Sequence, residues 1–429
     1  MQSVSIVIDW GFTRLKLWTL DEQARTVDQV SCFTKEISGN PICYSQQSLD
    51  SIGSVIARYL YSHNNADCVR IYLSSQMHCL AGVLQRGEYF LSTWNDLPVN
   101  GDVDPIVTAQ YGVPLLHSMP INKLVACAAG YAVGSVYLEQ LFSNEELLIR
   151  CVASPLTLVL SNIFQLPLPC SRGWWQSSCM ASVLLDSASN GATYLSEQPI
   201  RVSRGYIAKG LELNGDILVY PEVGDLQAAT SNAVRIYDVV INLGTGSQIV
   251  FSNLRAGRPW PYFRYWPNRE KPLVTISHVP CGRLLSAYAE AKMMDITALA
   301  RILLDLNAME LLTIAKKNMT SILFFPGYCS VQGEYLQKPL STLEQIAELE
   351  PHVLLSLWVY QYVSLIQIAT CATDDPSCLP SIGVTGSLGG MAEVFAALLE
   401  GMPSLASSVA RDTSTLPASL ISAFTCHDI

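Results

Sequence analysis

The chain opens on an apolar run, SVSIVID, then a turn at Trp10 to Phe12, then a second run, RLKLWTLD. Two such runs around a glycine turn predict a β-hairpin with Asp9 at the end of its first strand. A 3.6-residue apolar spacing predicts an amphipathic helix over Ser48 to Ser62. A strand follows at VRIYLSS, then a loop, QMH, and a hairpin-like AGVLQRGEYFLST. Residues 122–142 read as helical. Residues 151–194 mix helix and loop, with PLPCSRGWW as an exposed turn. From Ile217 the pattern changes. DILVYPEV predicts a strand, GDLQAATSNAVR a helix starting at Asp225, and DVVINLGTGSQIVF a strand, a glycine turn and another strand. Two hairpins of one kind, roughly 230 residues apart, predict two related α/β lobes. The Pro- and aromatic-rich stretch at 255–270 sets the boundary, giving lobes 1–254 and 255–429. The second half adds helical stretches at 284–316, 342–371 and 390–400, a strand and turn at SILFFPGYCSVQGE, and a strand and glycine turn at SIGVTGSLGGMAE.

Composition narrows the class. Twenty-six Lys and Arg against thirty-six Asp and Glu give a net charge of -10, which argues against a general nucleic-acid binder. Half the residues are hydrophobic and 14% are charged, which excludes a largely disordered chain. Thirteen cysteines stand singly, with no CxxC and no His/Cys cluster. They read as reduced thiols in a cytoplasmic protein, not as a disulfide framework or a zinc site. No signal peptide is visible at the start. The stretch from Pro351 to Ala372 carries no formal charge, but His352, Ser356, Gln361, Ser364, Gln367 and Thr370 gather on one side of a helix. It reads as a buried helix with a polar edge and not as a membrane span.

Candidate chemistry lies at the turns. Asp9, Gly11, Thr13 and Lys16 place an acid, a glycine and a hydroxyl around one turn. Such a turn can hold Mg-bound phosphates, the carboxylate reaching the metal through water and the glycine admitting phosphate oxygens to backbone N–H. It can equally be an ordinary turn with an exposed Asp and Lys. Gly244, Thr245 and Gly246 repeat the design without the acid, and would serve a tight hairpin as well as a phosphate. Gly386, Gly389 and Gly390 would let the chain pass close to a flat base, or simply give a helix room to start. No Gly-Lys-Ser/Thr follows, so this is not a Walker A loop. Asp225, at a helix start, is favoured in its ionised form and could accept a hydroxyl proton or act only as a helix cap. Gln76, Met77 and His78, with Trp94, Asn95 and Asp96 further on, offer donors, acceptors and an aromatic face for a polyhydroxylated ligand.

Taken in order, these segments resemble the FGGY carbohydrate kinases. IVIDWGFTRLKL and INLGTGSQIVF resemble the family's two phosphate hairpins, SSQMHCLAGVL with TWND its sugar-binding stretch in the xylulokinase branch, and VGDLQAATSNA the helix start that carries its base. ILFFPGYCSVQGE resembles its Pro- and Gly-containing loop and VTGSLGGMAE its adenosine turn. GDLQAAT followed by NLGTGSQ is closest in flavour to sedoheptulokinases. The resemblance implies two ribonuclease-H-like lobes of the actin, hexokinase and chaperone ATPase superfamily, with ATP and sugar in an interlobe cleft. It implies ATP and Mg2+ as cofactors and a small sugar as partner, with no nucleic acid and no membrane; a homodimer is left open. By position, Asp225 would be the general base and Asp9 would organise Mg. Gly11, Thr13, Lys16, Gly244, Thr245 and Gly246 would meet phosphate. Gly386, Gly389 and Gly390 would flank adenosine, and Gln76, Met77, His78 and Asp96 would face the sugar. The implied reaction is phosphorylation of a primary hydroxyl of a sedoheptulose- or xylulose-like ketose or related polyol. Pro98 stands where the family places an arginine, and Trp10 and Phe12 are bulkier than its usual turn residues. These departures motivate the alternative of a catalytically weak or inactive sugar or nucleotide sensor.

Overall fold

The computed structural model describes residues 3–11, 13–38, 43–63, 65–76, 80–84, 89–92, 147–152, 154–166, 168–169, 171, 196–203, 207–208, 211–212, 215–244, 246–252, 263–264, 266–267, 269, 273–318, 343–370, 379–386, 388 and 390–425. The expected helix at 122–142 and the turn at SILFFPGYCSVQGE lie outside these residues. The chain divides into two compact units, Met1–Ala228 with Tyr265–Glu270 and Leu420–Ile429, and Ala229–Arg264 with Lys271–Ser419. The division falls after Ala228, so the second glycine hairpin belongs to the second unit, whereas the composition shift placed it in the first.

In the first unit, β1 (Ser3–Trp10), β2 (Arg14–Leu20) and β3 (Thr26–Phe33) form an antiparallel meander. After α1 (Thr34–Ser38) and β4 (Cys43–Tyr44) comes α2 (Gln46–Ser62), capped by the Ser45 side chain accepting from the N–H of Ser48. Its apolar face, Leu49, Ile52, Ile56 and Leu60, is buried. The next strand, β5 (Cys68–Ser75), lies parallel to β1 with Asp9 opposite Ser74. A separate sheet of order β4-β7-β6-β8 uses β6 (Leu80–Leu84), β7 (Tyr89–Ser92) and β8 (Leu147–Val152). Then follow α3 (Pro155–Phe164), β9 (Ile200–Val202), the short pair β10 (Ile207–Ala208) and β11 (Leu211–Glu212), β12 (Asp216–Val219), β13 (Val223–Gly224) and α4 (Asp225–Thr230). The main sheet has the order β3-β2-β1-β5-β12-β9, with β12 and β13 both parallel to β5. The predicted strand DILVYPEV is thus two strands, parted at Tyr220 to Glu222, where Pro221 supplies no amide to a ladder.

The second unit repeats the plan. Past α5 (Ala233–Ile236), β14 (Val239–Leu243) and β15 (Ser247–Phe251) form the second hairpin. β16 (Phe263–Arg264) and β17 (Leu273–Val279) continue it antiparallel. Helices α6 (Gly282–Ala291), α7 (Ile296–Leu304), α8 (Ala308–Lys317), α9 (Leu343–Ala347) and α10 (Pro351–Thr370) precede β18 (Ser381–Gly386), α11 (Met391–Glu400) and β19 (Ser408–Arg411), and α12 (Leu416–Thr425) begins in this unit and from Leu420 belongs to the first. The sheet order is β16-β17-β15-β14-β18-β19, with β14, β18 and β19 parallel. Three antiparallel strands followed by two parallel ones occur in each unit, so the expected relationship between the two halves is present in the topology.

The stretch 284–316 is three helices. Asp295 and Asn307 stop its predecessor each time by capping the next one, accepting from the N–H groups of Ala298 (2.7 Å) and Glu310 (2.9 Å). In α10 the polar side is partly inside. Ser356, Gln361 and Ser364 are buried, while His352 and Gln367 are exposed. Trp358 and Tyr362 both donate to the carbonyl of Pro280, at 2.7 and 3.2 Å. Among the described residues no helix is long and apolar enough to cross a membrane. Cys32, Cys68 and Cys281 are free thiols, and burial pushes the Cys281 thiol up to about 12.

Candidate active site

Within the first unit the singled-out residues collect at the carboxyl ends of three adjacent parallel strands, β1, β5 and β13. Asp9 sits opposite Ser74 on β5, and Ser74 sits opposite Val223 on β13. Gly224 is paired with Ser75, and Asp225 follows as the first residue of α4. With strands about 4.8 Å apart, this places Asp9 and Val223 roughly 10 Å apart across the sheet end, and Asp225 stands two residues beyond Val223. Ligands of open α/β sheets gather at such carboxyl ends.

Asp9 is 4% exposed, and its carboxylate accepts from the Ser74 hydroxyl at 3.0 Å and from Lys16 Nζ at 3.4 Å. Burial pushes the Asp9 carboxyl above the usual aspartate range, and the Lys16 ammonium only partly offsets this. Lys16 faces Asp9 because the two are partners in the β1–β2 register, and its side chain keeps 39% exposure. The turn between them is tied at both ends. The Gly11 N–H donates to the Arg14 carbonyl at 2.9 Å, and the Thr34 N–H to the Thr13 carbonyl at 2.9 Å. Thr13 is exposed. Gln76 is buried, and its N–H donates to the carbonyl of Trp10 at 3.1 Å, so the start of the expected sugar stretch is stitched to the turn after β1. Asp225 is exposed, and its Oδ1 accepts from the Leu226 N–H at 2.8 Å. Met77, His78, Asp96, Thr245 and Gly389, with Phe12 and Pro98, lie outside the described residues.

In the second unit, the two glycine turns leave the same end of the sheet. Leu243 at the end of β14 pairs with Gly386 at the end of β18. Gly386 has φ 108°, and a Cβ there would collide with the Leu243 carbonyl, so glycine is required by both the dihedral and the close approach of the strands. Gly390, in the left-handed conformation at φ 80°, opens α11; it and Gly246 have open space where a Cβ would stand. The Gly244 carbonyl accepts from the Gly282 N–H at 3.0 Å, anchoring the hairpin turn to α6. Arg411, at the end of β19, donates to the carbonyls of Val384 (2.8 Å), Asp412 (2.9 Å) and Gly386, and meets Glu393 at 3.3 Å. That fork clasps the exit of β18 into its glycine turn.

Two functional-looking residues escaped the sequence reading. Glu222 is fully buried beside Ser75, and Arg411 clasps the Gly386 turn. Glu222 lay inside a run read as a strand. A charged residue in an otherwise apolar strand was the signal that could have found it.

Whether the donor set suits Mg2+ can be judged from Asp9. Mg2+ keeps most of its water and takes one or two carboxylates beside phosphate oxygens. A single buried acid with a neighbouring hydroxyl fits the outer part of such a shell, and among the described residues no cluster of three or more metal-type ligands competes with it.

No family model matches the chain, and no curated protein matches it. Solved structures do. The chain superposes on the gluconate kinase of Lactobacillus acidophilus with a TM-score of 0.64 at 16% identity, covering 99% of this chain and 88% of that one. It superposes on ligand-bound xylulose kinase from the same organism with a TM-score of 0.64 at 15% identity, covering 98% and 88%. The glycerol kinase of Plasmodium falciparum with ADP gives 0.62 at 11%, covering 98% and 88%. The fold is the two-lobe, actin- and hexokinase-like α/β fold. At these identities the likeness speaks for fold alone.

Proposed function

We propose that this chain is an ATP-dependent carbohydrate kinase of the FGGY type, phosphorylating a primary hydroxyl of a ketose, sedoheptulose- or xylulose-like, or of a related polyol. The observation that carries the reading is Asp225: an exposed acid at the start of a helix, beside the phosphate-type turn of β1 and the Gln76 stretch, at the carboxyl end of one sheet. The solved structures of like fold, those of a gluconate, a xylulose and a glycerol kinase, support it. In this reading Asp225 accepts the hydroxyl proton as the oxygen attacks phosphorus in line. Lys16 and the amides of the Gly11 turn meet phosphate oxygens, and the Gly244 and Gly246 turn holds the terminal phosphate. The turn from Gly386 to Gly390 receives adenosine. Asp9 would hold hydrated Mg2+, which supplies charge neutralisation on the phosphates when bound.

The test is ADP release over a panel of C5 to C7 ketoses and polyols, with product mass. Asp225→Asn is expected to lower turnover by about 10²-fold or more while MgATP still binds. Full activity in that variant sinks the assignment. No turnover with any polyol, together with polyol-induced thermal stabilisation, favours the sensor instead.

A further inference from the structure

We propose that Glu222 is a positioning residue, a buried carboxylate clamp that fixes Asp225 and Gln76 relative to one another within the first unit. What is positioned rests on the sugar-kinase reading, whereas the clamp itself rests on geometry.

Glu222 has no exposed surface and lies three residues before Asp225. Its Oε1 accepts from the Ser75 hydroxyl and from the Leu156 N–H at 3.2 Å. Its Oε2 accepts from the Thr157 N–H and from the Thr157 hydroxyl at 2.8 Å. Its main chain holds a third segment: its N–H donates to the Pro169 carbonyl at 3.4 Å and its carbonyl accepts from the Ser171 N–H at 3.0 Å. One residue thus joins the end of β5, the first turn of α3 and the segment at 169–171. It does so next to β13, where Gly224 pairs with Ser75. Gln76 comes directly after Ser75 and is hydrogen-bonded to Trp10. A shift of Ser75 therefore reaches Asp225 on one side and the phosphate turn on the other.

The donors explain why the residue is an acid. Leu156 and Thr157 belong to the first turn of α3, where backbone N–H groups lack helical acceptors. Pro155 opens that helix, and Ser154 makes no side-chain capping bond to it. Two amides and two hydroxyls converge, and a carboxyl group offers them an acceptor on each of its two oxygens. Glutamine keeps the shape but turns one acceptor into a donor. Holding a carboxylate away from water is costly, and such groups persist where they fix one arrangement among several.

Glu222→Gln, Ser75→Ala and Glu222→Ala are compared in the full chain with Ile56→Ala, a core substitution in α2 whose apolar side chain makes none of the clamp's hydrogen bonds. Amide exchange at Gln76, Gly224 and Leu226 is expected to quicken by about tenfold or more in the clamp variants. On the polyol that the wild type phosphorylates best, kcat is expected to fall about tenfold with the ATP KM within twofold. Ile56→Ala, compared at a temperature giving equal distance from Tm, should show neither change. If Glu222→Ala does not fold, the other two clamp variants decide. A wild type that phosphorylates no polyol sinks the kinase reading, while exchange still decides the clamp. Unaltered exchange in folded Glu222→Gln overturns the clamp. Altered exchange with unaltered kcat overturns the positioning role.

Discussion

Burial pushes the Glu222 carboxyl above the usual glutamate range, because its hydroxyl and amide donors offset the lost hydration only in part. The sign of its effect on stability follows. A group whose folded pKa is raised contributes stability that is fully present below its unfolded value, about 4.3, and that is lost as pH rises through the folded value. Glu222→Gln does not titrate there. The Tm difference between wild type and Glu222→Gln should therefore favour the wild type most near pH 4 and move against it as pH rises towards neutrality. Paired thermal melts between pH 4 and pH 7 measure it, and a drift in the opposite direction would mean that the convergent donors outweigh burial. Arg411 makes a different demand. Its planar fork reaches three carbonyls at once, and lysine has a single nitrogen to offer them. Arg411→Lys is expected to cost about 1–2 kcal/mol of stability. On the proposed function, it should also weaken ATP binding by loosening the Gly386 turn, which calorimetry with a non-hydrolysable ATP analogue would read.

At the scale of elements, the glycine turns separate fold from ligand. Gly386→Ala must strain a left-handed backbone and push β18 away from Leu243, so a loss of about 2–3 kcal/mol is expected, seen as an earlier denaturant midpoint. Gly246 has no such conflict, so Gly246→Ala should leave the midpoint nearly unmoved; a fall in its nucleotide affinity would then report on phosphate contact and not on folding. Both turns were legible in the sequence because glycine punctuates apolar runs. The helix breaks at Asp295 and Asn307 were written there too, as capping residues, but continuous apolar spacing on either side hid them. The strand β3 was not legible. Six of its eight residues are exposed, so TVDQVSCF shows no alternation of apolar and polar positions, and it is a strand because β2 offers it a ladder. The acid inside DILVYPEV was visible, but nothing in its neighbours told that Ser75 and the start of α3, 147 and 66 residues away in sequence, would meet it.

For the whole molecule, the repeated sheet order is the strongest constraint on function, because each copy presents a hairpin turn and a second turn at the carboxyl ends of its parallel strands. The internal repeat was legible from two hairpins alone. The sites were less so, because the residues that distinguish them come from strands distant in sequence and are brought together only by parallel pairing. On the proposed function, the two units should respond to different parts of the substrates. Adenosine lacks phosphate, so it should protect only the turn from Gly386 to Met391 from amide exchange. A magnesium-bound, non-hydrolysable ATP analogue should add protection at the Gly244 to Ser247 turn and at the Gly11 to Arg14 turn, since on the proposed function both hairpins meet phosphate oxygens. A polyol substrate should instead protect Gln76 and the amides from Gly224 to Leu226. Asp225→Asn, which keeps every backbone donor, should leave all three patterns in place while removing turnover. Adenosine protection at the Gly11 turn, or polyol protection confined to the second unit, would show that the roles of the two repeats have been assigned the wrong way round.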